Sequence, residues 1–254
     1  MLTLLRKELR EQWRSNRLLV VAAVLVAMGI LGPLTARYMN EMLGSIPGTP
    51  EGLEAVLPPP TAELAVSELT DNLAQFGLIL ALLVPMAAVV GEKTSGTAAL
   101  TLSKPVSRGA FLAAKLLALV VTFGVGVSLA VGAGYAYTGM LFAWLPVGGF
   151  VQLAGTLLIY LLFYASLTLL ASTLMRSQLA AAGLAFGLAL VLGIGGTLPA
   201  VGALLPSALL AWGRVAASAS SAPVEFPWKA LLTAGLLIPA LLMIGWAALR
   251  RQEL

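Results

Sequence analysis

Cysteine and histidine are both absent from this chain of 254 residues. That removes disulfides, thiol nucleophiles, imidazole bases and the usual zinc sites. Charge is scarce too. Asp, Glu, Lys and Arg make up 10% of the residues against 59% hydrophobic ones, and the mean hydropathy is +0.97. Soluble domains carry about 25% charge. No water-soluble fold hides this much apolar surface, so the solvent is lipid, and residues 1–254 are expected to form one all-α membrane domain. The first residues carry too many charges for a signal-peptide n-region, and no small-residue cleavage site follows.

Carboxylates are missing from the middle of every long apolar run. Ion-coupled carriers usually place ionisable residues or unwound helices at the membrane midplane. Intramembrane hydrolysis needs paired acids or an activated serine, and neither arrangement is present. Gly91-Glu92-Lys93-Thr94 lacks the glycine spacing of a phosphate-binding loop and follows an apolar run rather than a strand, so nucleotide binding by this chain is not expected.

What is present is a set of six apolar runs. About 20 helical residues cross a hydrocarbon core of about 30 Å. The runs fall at about 18–34, 73–90, 110–137, 147–174, 179–198 and 230–249. Gly32-Pro33 marks the outer end of the first. Pro85 inside the second and Pro239 inside the last should each kink a helix. Ser107 is a candidate N-cap for the third, and Lys115, one to two turns inside it, can snorkel to the interface. Gly183-x-x-x-Gly187 permits close helix packing. Residues 199–212 are apolar but short and divided by Pro206, so they read as re-entrant. The segment between the first two runs is acidic and broken by prolines, and Thr61 can cap a short helix to Leu69 there. This plan puts all but Arg37, Arg214 and Lys229 of the 15 Lys and Arg residues on one side. Both termini are therefore expected in the cytoplasm.

Residues 1–17 pattern as an amphipathic helix. Leu2, Leu5, Leu9 and Trp13 share one face, and Arg6, Arg10 and Arg14 repeat every four residues on another, with Arg17 close by. Such a helix suits the surface of an anionic bilayer. The same charges would also serve as a plain positive flank orienting the first span.

The one long polar interruption in the middle of the chain is residues 91–108, GEKTSGTAALTLSKPVSR. Gly96 permits a sharp turn, Thr97 can cap a short helix over 98–103, and Lys104, held extended by Pro105, ends it. Ala98, Leu100 and Leu102 give this helix an apolar surface for a protein groove. Within the spans, Gln152 and the pair Tyr160 and Tyr164, one turn apart, are the candidate pathway groups. The alternative role for such side chains is a bond within their own helix or to a neighbouring one.

At this point the chain resembles the ABC-2 permeases, the membrane subunits of type-2 ATP-binding-cassette exporters. The resemblance rests on LLRKELREQWRSNR before the first span and on Glu92, Gly96-Thr97 and Pro105-Val106-Ser107-Arg108 after the second. Phe111 and Lys115, the six-span plan and the broken apolar stretch before the last span also match. At Ala98-Ala99 the chain departs from the Glu and Leu frequent in the family. The resemblance implies a multi-pass cytoplasmic-membrane permease without catalytic residues or cofactors of its own. It implies a homodimer paired with two copies of a separate ATPase that holds ATP and Mg. Glu92, Gly96, Thr97, Leu100, Lys104, Pro105 and Arg108 would belong to a coupling element seated in that ATPase. The N-terminal helix would connect to it, and residues 199–212 would close the outer side. The scarcity of buried charge leans toward a hydrophobic or amphipathic substrate. An ion-coupled secondary carrier and a non-transporting membrane partner of an ATPase are the competing readings.

Overall fold

The computed structural model describes residues 2–44, 59–103, 106–218 and 225–252. Among these residues every regular element is a helix, and six helices are long and apolar enough to cross a membrane. Helix α1 (Leu2–Arg14) turns at Ser15-Asn16 into α2 (Arg17–Gly44). Asn16 takes a φ of 57° there, a left-handed conformation that asparagine tolerates better than most residues.

The prolines depart from expectation in two places. Helix α2 does not stop at Gly32-Pro33 but continues to Gly44. Proline deprives the carbonyl four residues back of its donor. Within a membrane bundle, neighbouring helices accommodate such a break. Pro85 does the opposite and ends its helix. The second span is α3 (Ala62–Leu83), displaced toward the N-terminus from the expected 73–90. It starts at Thr61, whose hydroxyl oxygen accepts from the Leu64 N–H at 3.2 Å. The short capped helix expected to Leu69 is therefore the first part of the span itself. After Leu83 the chain turns through Val84–Val89 into the short helices α4 (Val90–Thr94) and α5 (Thr97–Leu102).

The remaining elements are α6 (Arg108–Leu141), α7 (Val147–Leu174), α8 (Gln178–Gly195), α9 (Pro199–Gly202), α10 (Ser207–Ala217) and α11 (Trp228–Arg250). Ser107 caps α6 by accepting from the Ala110 N–H, and Ser177 caps α8 by accepting from the Ala180 N–H, both at 3.1 Å. Pro239 lies inside an unbroken α11.

Helix α7 is the centre of the bundle. Its Leu153, Leu157 and Leu161 are fully buried, in one core with Phe123 of α6, Leu69 and Leu73 of α3, and Leu25 of α2. Close approach of backbones sets this packing. A Cβ on Gly32 of α2 would fall 2.5 Å from the Leu69 nitrogen, and one on Gly149 of α7 would fall 2.1 Å from the Ala216 carbonyl oxygen of α10. The stretch after α8 thus does not end at Trp212; it carries on as α10, laid against α7. Gly183 and Gly187 of α8, by contrast, meet nothing within 4 Å, so their motif packs no described helix of this chain.

Candidate functional site

Two faces of α1 were expected, one apolar and one basic; a third decides where the helix sits. Leu4, Glu8 and Gln12, each one turn from the next, are the buried residues of α1, and they lie against α6. Leu2 and Trp13 are exposed beside that buried face, and Arg6, Arg10 and Arg14 are exposed beyond them. Arg17 begins α2, half-buried.

Glu8 enters a buried charge cluster. Lys115 of α6, 3% exposed, donates to both Glu8 carboxylate oxygens at 3.2 Å and to Glu92 Oε1 at 2.8 Å. Its ammonium also lies 4.7 Å from the centre of the Phe111 ring. Lys7 donates to the same Glu92 oxygen at 2.7 Å and to Glu8 Oε1 at 3.3 Å. Lys115 therefore does not snorkel to the interface; it is enclosed by α1 and α4, because a buried ammonium requires a counter-charge. Further along α6, the buried Thr122 hydroxyl meets Gln12 Oε1. Carboxylate oxygens of Glu8, Glu11 and Glu92 lie within 4.8 Å of one another, and the Lys7 and Lys115 ammoniums pair with all three.

Burial works to raise the Glu92 pKa, but the charge and hydrogen bonds of Lys115 and Lys7 outweigh it and hold the carboxyl below its usual 4.5. Burial likewise opposes the charge on Lys7, yet Glu92 and Glu8 hold its pKa above the usual 10.5. Both groups are charged at neutral pH. Glu92 Oε1 receives both ammoniums, while Oε2 is buried with no partner among the described residues.

The rest of the 91–108 segment is tied to helix ends. The Ser172 hydroxyl of α7 accepts from the Val89 and Val90 N–H groups, each at 3.1 Å, and so holds the start of α4. Lys93 donates to the carbonyls of Thr173 and Met175, at 2.8 and 3.2 Å, and to Gln252 Oε1 at 3.1 Å. It thereby covers unsatisfied carbonyls at the end of α7 with a positive charge, the sign the helix dipole favours there. Burial, and then Arg176, lower its pKa from the usual 10.5. Arg108 does the same service for α11, donating to the carbonyls of Leu249 and Gln252.

Gly96 stands at φ +72°, the left-handed turn expected of it, with no neighbour within 4 Å of a Cβ placed there. The Thr97 hydroxyl donates to the Glu92 carbonyl at 3.3 Å. Leu100 lies in α5, with its side chain outside the described residues, as are Lys104 and Pro105. The pathway candidates separate. Tyr160 and Tyr164 are buried with ring centres 5.0 Å apart, edge to face, whereas Gln152 is exposed two turns nearer the N-terminal end of α7.

Sequence reasoning missed Glu8, Gln12 and Thr122. One signal was available. Lys115 interrupts an apolar run, and the six-span plan expected from the sequence leaves only Glu8, Glu11, Glu92 and Glu253 as side-chain carboxylates on its side.

A family described as "ABC-2 family transporter protein" matches residues 2–212. The chain is also 28% identical, over 188 residues, to the "Uncharacterized transmembrane protein YxlG" of Bacillus subtilis (strain 168). That similarity covers 74% of this chain and 73% of the relative.

Proposed function

Because the chain belongs to the ABC-2 family of transporter proteins, we propose that it is the membrane-spanning permease of an ATP-driven exporter. A separate ATPase docks on the cytoplasmic surface made by α4, α5 and α1, and holds the ATP and Mg. The observation that carries this reading is the Glu92 junction. One carboxylate joins α1, α4 and α6, while Lys93, Arg108 and Ser172 fasten the flanks of the same segment to the ends of α7 and α11. A push on α5 would not be absorbed by a slack loop. It would move the inner ends of four helices together, and the orphaned Glu92 oxygen leaves the ion cluster room to re-pair as it moves.

In this reading two permeases and two ATPases make the working unit, and both termini are cytoplasmic. The spans carry little buried charge, which favours a hydrophobic or amphipathic substrate, with Tyr160 and Tyr164 the better pathway candidates and Gln152 apart from them. The arginine face of α1 is at the level of anionic headgroups, since Leu2, Leu5, Leu9 and Trp13 lie between it and the face packed on the bundle.

The test is Gly96→Pro. Proline cannot adopt φ +72°, so the substitution re-aims α5 while leaving the spans intact. The expected result is a folded, inserted permease that no longer co-purifies with the ATPase or supports transport-linked hydrolysis. Wild-type values for both would remove this segment from the mechanism.

A further inference from the structure

A groove of about 330 Å³ runs between the start of α6 and the end of α11, lined by Gly109, Leu112, Ala113, Leu242, Met243 and Trp246. We propose that it holds an acyl chain of an anionic phospholipid, with the phosphate at Arg250. This goes beyond the transport reading and does not depend on it.

Three observations point to that occupant. The first is charge. The Arg250 guanidinium lies 4.8 Å from the centre of the Trp246 ring, at one end of an otherwise apolar trough. Arg250 is exposed and forms no ion pair among the described residues. Its neighbour Arg108 has its guanidinium engaged by the carbonyls of Leu249 and Gln252, and among the described residues it brings no carboxylate to Arg250. Glu253, the nearest acid in the sequence, lies outside the described residues. The second is a free donor. The Trp246 indole N–H has no acceptor among the described residues, and a Cβ on Gly109 would come 3.6 Å from that nitrogen, so the bare glycine leaves the groove open beside it.

The third is depth. Trp228 and Trp246 stand eighteen residues apart on α11, about 27 Å along the axis. That nearly equals a hydrocarbon core of about 30 Å, and tryptophans favour its two boundaries. Trp246 and Arg250 are thus at headgroup level, and the groove descends from them toward Leu242. A purely apolar occupant would leave the arginine unbalanced, and a soluble anion would leave the trough uncovered. An anionic lipid satisfies both.

The experiment uses the full chain in phosphatidylcholine vesicles. Either dibrominated phosphatidylglycerol or dibrominated phosphatidylcholine is added at equal low mole fraction. Bromine quenches tryptophan on contact, and the difference between wild type and Trp246→Phe isolates the signal of Trp246 from the other four. Brominated phosphatidylglycerol should compete for the site roughly fivefold better than the zwitterionic lipid, as expected for one basic residue at the surface. Arg250→Gln should abolish that preference while the zwitterionic lipid quenches as before. Equal quenching of the wild type by both lipids overturns the proposal, and so does a preference that survives in Arg250→Gln.

Discussion

Two ion pairs in this chain look alike in a list of distances and differ in energy. Lys115 is almost wholly buried between Glu8 and Glu92, whereas Arg214 of α10 meets Asp71 of α3 with side chains 37% and 56% exposed. Exposed pairs contribute about 0–1 kcal/mol. Removing one partner of a buried pair costs about 3–5 kcal/mol, because the other charge is left without compensation. Lys115→Met should therefore lower thermal stability in detergent by an amount in that range, and Asp71→Asn by less than about 1 kcal/mol. Adding Glu8→Gln and Glu92→Gln to Lys115→Met should restore most of the loss. Equal effects of the two single changes would mean that the Lys115 cluster is open to water. The pH dependence follows from the same groups. Glu92, held below 4.5, contributes stability that is present above 4.5 and lost as pH falls through its folded value. Lys7, held above 10.5, contributes stability that is complete below 10.5 and lost as pH rises through its folded value. The stability gap between wild type and Glu92→Gln should stay constant from about pH 6 to 9 and narrow below 4.5. A gap that changes across neutrality would show that Glu92 titrates there.

At the level of helices, what was legible in the sequence was apolar length. The caps at Thr61, Ser107 and the turn at Gly96 are local chemistry and stand where the residues put them. Proline was the ambiguous letter. Pro33 and Pro239 sit within helices and Pro85 ends one, and the residue itself does not distinguish these outcomes. What distinguishes Pro33 from Pro85 is tertiary: α2 around Pro33 is enclosed by α3 and α6, while the chain after Pro85 is claimed by Ser172 of α7. The face of α1 that packs on the bundle was not visible for a related reason. Hydrophobic periodicity marks only Leu2, Leu5, Leu9 and Trp13, whereas the buried face holds Glu8, the counter-charge of Lys115 far along the chain. The contact of α10 with α7 was equally invisible, since it depends on a glycine whose partner is a backbone carbonyl. Gly149→Val should force those two helices apart. Overpacking of this kind costs about 1–3 kcal/mol, and the loss should appear as lower stability of the purified chain with insertion unchanged. An unaltered melting temperature would mean that α10 is not held against α7 in the membrane.

For the molecule as a whole, the side of the membrane on which the junction lies decides whether it can meet an ATPase at all. The positive-inside rule predicts the cytoplasm: α1, the 91–108 segment and the end of α11 carry most of the basic residues, while Arg37, Arg214 and Lys229 belong to the opposite end. The helix lengths are consistent with this division, since α3 alone, a full span, separates Glu63 from Ser95 and Lys115, and α6 then runs back across from the Lys115 end. The absence of cysteine makes the assignment directly measurable. Single cysteines at Glu63 and at Ser95, both exposed or nearly so and neither in the charge cluster, can be labelled on intact cells with a membrane-impermeant maleimide. Glu63→Cys should label from outside, and Ser95→Cys only after the membrane is opened. Labelling of Ser95→Cys in intact cells would put α4 and α5 on the outer face, beyond reach of any cytoplasmic ATPase, and the four anchored helix ends would then need a different source of force.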